Sequence, residues 1–60
     1  MSLEDLLEHF EGVSRINVFD ESAFMEDVFE YGEALDAFGH RWVNEWTYIQ
    51  FTNTLCVSLS

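Results

Sequence analysis

The apolar positions of this chain keep a helical rhythm in two stretches and an alternating rhythm elsewhere. Leu3, Leu6, Leu7 and Phe10 fall at i, i+3, i+4 and i+7, one stripe of a helix. Ser2 and Asp5 form a capping-box pattern in front of it, and Gly12 fits a stop. Val13 to Phe19 is short and β-prone, with Ile16 and Val18 alternating against Arg15, Asn17 and Phe19. From Asp20 to Gly39, Phe24, Val28, Tyr31, Leu35 and Phe38 again share one helical face. This predicts a long second helix, capped by Asp20 or Ser22 and ended by Gly39. Gly32 inside it costs about 1 kcal/mol against Ala, and close packing on a neighbour is expected there. Beyond His40, Trp42, Trp46 and Tyr48 fall on one strand face and Val43, Ile49 and Phe51 on the other, which calls for a bulge or a doubly buried strand. Thr52-Asn53-Thr54 reads as a turn, and Leu55, Val57 and Leu59 alternate in a final strand.

The expected fold is therefore α+β: two amphipathic helices packed on a small, mainly antiparallel three-stranded sheet. The order is helix-strand-helix-strand-strand, in a single acidic domain covering residues 1–60. A helix running on through residues 40–50 is the alternative.

Charge changes this picture from architecture to function. The 60 residues hold 12 acids, 2 Arg and no Lys, a net charge of -10. So acidic a chain is commonly disordered, but 48% hydrophobic and 17% aromatic content provides a core. The acids are patterned. Glu4, Glu8 and Glu11 line the polar side of the first predicted helix, and Glu26, Glu30 and Glu33 that of the second, flanked by Asp27 and Asp36. Like charges at i,i+4 destabilise a helix by about 0.2–0.5 kcal/mol per pair. Rows kept at that cost are expected to face a cationic partner. Phe29 falls off the main apolar stripe and beside the acidic row, as a core edge or an exposed anchor. Residues 46–60 carry no charge, and such a β-rich tail needs pairing or cover.

Other chemistry finds little to stand on. Direct nucleic-acid binding needs Lys and Arg for phosphates, and only Arg15 and Arg41 are present. An anionic membrane is disfavoured for the same reason. Both arginines most simply pair with the chain's own acids. There is no paired-His zinc spacing, EF-hand loop, phosphate-binding Gly loop or nucleophile elbow. No catalytic residue, metal site or cofactor is expected. Cys56 is the only cysteine, so no internal disulfide forms, and a cytoplasmic location is expected.

Carboxylates at i and i+4 of a helix are about 6 Å apart along its axis. Alternate phosphates along one DNA strand are about 6.8 Å apart. In length, charge, lone Cys, absence of Lys and its rows Glu4-Glu8-Glu11 and Glu26-Glu30-Glu33, the chain resembles the small acidic phage proteins that block host defence by imitating DNA, the anti-CRISPR and antirestriction proteins. The resemblance implies a stoichiometric inhibitor, monomeric or weakly dimeric, bound to a basic DNA- or RNA-handling surface of a nuclease complex. The implied contact residues are Glu4, Glu8, Glu11, Glu26, Asp27, Phe29, Glu30, Glu33 and Asp36. The rival is an acidic regulatory or antitoxin-like module that binds its partner through the neutral C-terminal hairpin.

Overall fold

The computed structural model describes residues 1–60 and contains four strands rather than three. The elements are α1 (Leu3–Leu7), β1 (Arg15–Asp20), β2 (Met25–Phe29), α2 (Tyr31–Phe38), β3 (Val43–Ile49) and β4 (Thr54–Leu59), with a 3₁₀ turn at Gln50–Thr52. The sheet order is β2-β1-β4-β3. The central pair β1–β4 is parallel, and the outer pairs β1–β2 and β3–β4 are antiparallel.

The expected second helix is the largest correction. Its first half is a β-hairpin arm. Asp20 ends β1, and its Oδ1 accepts from the backbone N–H and hydroxyl of Ser22, closing a tight turn where a helix cap was expected. Phe24 lies at φ 52 and is 91% exposed, so it belongs to no apolar stripe. Val28 points away from the core as well. The helix proper starts at Tyr31, where Glu30 and Glu33 form a capping box in which Glu33 Oε1 accepts from the Glu30 N–H. It ends at Gly39 as expected; a Cβ there would sit 2.5 Å from the Leu35 carbonyl oxygen. Gly32 has open space around it, so close packing does not explain it.

The first helix is also shorter than its stripe. It stops at Leu7 with Glu8 as C-cap, five residues before the expected stop at Gly12. Ser2 does cap it, accepting from the Asp5 N–H at 3.3 Å. Its first N–H groups donate outward: Leu3 to the Arg41 carbonyl and Glu4 to the Gly39 carbonyl, both at 2.9 Å. These bonds tie the chain's start to the α2–β3 connection.

Both helices lie on one side of the sheet. Leu3, Leu6, Leu7 and Ala34 close over Ile16, Val18, Val43, Leu55, Val57 and Leu59. Phe10, Val13, Phe29, Tyr31 and Phe38 seal the margins. The register shift between Val43 and Glu45 is the anticipated bulge. It turns Val43 to the helix side with Trp46 and Tyr48, not to the opposite face. Phe10 meets the Trp46 ring edge-on at 5.3 Å and the Tyr48 ring at 5.6 Å. The other side of the sheet has no covering layer.

Candidate interaction surface

The predicted contact residues divide between the two sides of the molecule. Glu4 sits in the first turn of α1, Glu8 caps its end, and Glu11 lies in the turn beyond. All three are exposed. Glu33 and Asp36 are exposed on α2, and Glu30 is its N-cap. Glu26 and Asp27 lie on β2 and not on a helix. The row Glu26-Glu30-Glu33 is therefore one strand residue, one cap and one helix residue, and the regular spacing expected of it does not exist. Glu4-Glu8-Glu11 loses its third member in the same way. Phe29 is half-buried, with its ring edge-on to Phe38 at 5.2 Å. Of its two readings, that is the core edge.

The fold does bring the end of the first row near the start of α2. Tyr31 opens α2 and donates its phenol hydrogen to the Leu7 carbonyl at 2.8 Å. Burial raises the pKa of this phenol first, and the negative charges of Glu11 and Glu8 raise it further. The end of α1 and the start of α2 thus bring Glu8 and Glu11 towards Tyr31, beside Glu30 in the chain and the Glu33 bond that caps it. None of these four carboxylates is paired with an arginine.

Only one carboxylate is neutralised inside the molecule. Asp20 is buried at the end of β1 and receives both arms of Arg41, at 2.8 and 2.9 Å. The hydrogen bonds from Arg41, then that from the Ser22 hydroxyl, hold its carboxyl far below the usual carboxylate range, against the opposing effect of burial. Arg41 also donates to Ser22 Oγ and to the Ser60 carbonyl, so it clasps the β1–β2 turn to the chain end. Arg15 is exposed on β1 and forms no ion pair.

Sequence reasoning missed the uncovered face of the sheet. Asn17, Phe19, Glu26, Glu45, Thr47, Cys56 and Ser58 line an open hollow there. Glu21 stands at its end, accepting from the Ser58 hydroxyl and the Asn44 amide. Only strand register brings these residues together, and periodicity within one segment cannot show it. Cys56 is free and half-buried. No three or more His, Cys, Asp or Glu side chains are grouped so as to hold a metal ion. No helix is long and apolar enough to cross a membrane.

No protein-family model matches the chain, and no curated protein or solved structure matches it either.

Proposed function

We propose that this protein is a stoichiometric inhibitor that docks on a basic, nucleic-acid-handling surface of a defence nuclease complex. One observation carries the reading. The chain has 12 acids, and Asp20 is the only one joined in an ion pair, which leaves eleven carboxylates without an internal cation. A surface of this kind repels nucleic acid and acidic lipid, and it steers towards clustered Lys and Arg. The grooves of proteins that hold DNA or RNA carry such clusters. The negative charge acts here as a field spread over both layers, because the chain has no evenly spaced helical row to copy a phosphate backbone. The reading sets the inhibitor in the cytoplasm, alongside its target, where an unpaired Cys56 stays reduced.

The experiment is capture of targets on the immobilised protein from a host lysate at low ionic strength, followed by elution with salt and by competition with duplex DNA. The expected result is a basic nuclease or nucleoprotein that is released by salt and displaced by DNA. A target that stays bound at high salt and ignores DNA contradicts the proposal.

A second reading, binding through the C-terminal hairpin, is favoured by a separate observation. Strand β3 is an outer strand whose residues are exposed from Asn44 to Ile49. Trp46, Tyr48 and Ile49 are 46%, 39% and 43% exposed, and Phe51 just beyond is 97% exposed. Exposed apolar side chains on a free edge can take up a partner strand. Ile49→Lys with Phe51→Ser separates the two readings: it removes salt-resistant capture through the hairpin and leaves salt-sensitive capture intact.

A further inference from the structure

The register of the uncovered face sets four residues in one row across the four strands. Glu26 on β2 pairs with Phe19 on β1, Phe19 with Ser58 on β4, and Ser58 with Glu45 on β3. Adjacent strands are about 4.8 Å apart, so the two glutamate backbones stand about 14 Å apart with an aromatic ring and a hydroxyl between them. Glu26 leans inward, since its Oε2 accepts from Asn17 on the neighbouring strand at 3.2 Å. Glu45 has no partner in the chain and lines the same hollow of about 260 Å³. A half-buried phenylalanine floor between two carboxylate walls matches a planar cation: the ring face attracts it, and each wall accepts its N–H groups.

We propose that this hollow receives an arginine side chain presented by the basic partner. The inference rests on the reading above and adds the place and the chemistry of one contact. Charge complementarity excludes the other occupants. A second copy laid on this face would bring three acids, Glu21, Glu26 and Glu45, and a single cation, Arg15, against the same set, a net repulsion. Phosphates and acidic lipids meet the same repulsion. A lysine ammonium reaches the walls but cannot lie flat on Phe19. Arg15 stands on the same face at the opposite end of β1 from Phe19 and repels a second cation there, so the partner's charge is steered to the Glu26–Glu45 row.

The test is an NMR titration of the isotope-labelled protein with a blocked tripeptide, acetyl-Gly-Arg-Gly-amide, and with its citrulline counterpart, which keeps the shape and lacks the charge. The expected result is saturable shifts at Asn17, Phe19, Glu45 and Ser58 with arginine and none with citrulline. Glu26→Gln and Glu45→Gln, both exposed and near-isosteric, should each weaken binding by about tenfold with an unchanged spectrum elsewhere. Phe19→Leu should reduce the preference for arginine over lysine. Equal binding of citrulline overturns the proposal. Shifts centred on Glu8, Glu11 and Asp36 with the hollow silent overturn it too, but leave the basic-surface reading standing. Loss of salt-sensitive target capture, by contrast, overturns that reading and not the peptide result.

Discussion

Asp20 is the one acid of this chain that works for the fold rather than against it. Because its folded pKa is depressed, its contribution is fully present above the unfolded carboxylate value of about 3.9 and is lost as pH falls towards the folded value. Asp20→Asn should therefore lower the melting temperature clearly at pH 7. The gap to the wild type should close steadily as the pH is taken below about 4. Thermal melts of both proteins from pH 7 to pH 2 check this; a gap independent of pH would show that the carboxylate charge is not what matters. Phe24 poses the opposite case. A bulky residue at φ 52 carries a strain of about 1 kcal/mol, and its ring is almost wholly in solvent. Phe24→Asn keeps the backbone conformation at lower strain and should stabilise the protein by about 0.5–1 kcal/mol in urea unfolding. Asn53, also left-handed at φ 50, shows the compatible choice. Its side chain donates to the Gly12 carbonyl and accepts from the Tyr48 hydroxyl, locking the β3–β4 turn to the loop before β1.

At the level of elements, the C-terminal hairpin, its bulge, the strand near residues 13–19 and the stop at Gly39 were legible, because local alternation and turn residues dictate them. Strand β2 was not. Met25-Glu26-Asp27-Val28-Phe29 holds two acids that disfavour strands, and the spacing of Phe24 and Val28 to Tyr31 imitates a helix by coincidence. What decides the outcome is pairing with β1, from Ile16↔Phe29 to Asp20↔Met25, which is a tertiary matter. The helix start at Glu30 was hidden for a related reason: glutamate is not a preferred N-cap, so the Glu30-x-x-Glu33 spacing carried no local signal. Correcting the helix also changes what Gly32 means. It is exposed in the first turn of α2 with nothing within 4 Å of an added Cβ. Gly32→Ala should stabilise the protein by about 0.5–1 kcal/mol, checked by urea unfolding at equal slope. The candidate site was legible as acidic residues but not as a surface. Glu8 and Glu11 come near Tyr31 only once α1 packs on α2, and Glu26 faces Glu45 only across four strands.

Over the whole molecule, a net charge of -10 sits on a surface of 3907 Å² around a core of ten buried apolar residues. A core this small leaves little stability to spare, and self-repulsion reduces it further. Added sodium chloride should accordingly raise the melting temperature, most steeply below about 0.15 M where screening changes fastest. The same repulsion means that reversing exposed charges should favour the fold. Glu8 caps the C-terminal end of α1 and Asp36 lies in the second half of α2, where negative charge opposes the helix dipole. Glu11 is exposed between them in sequence and forms no ion pair. The most direct measurement sets stability against binding in one variant, Glu8→Lys, Glu11→Lys and Asp36→Lys together. The expected outcome is a melting temperature equal to or above that of the wild type, with affinity for the captured basic target lowered at least tenfold. Unchanged affinity in a variant that folds as well would contradict it.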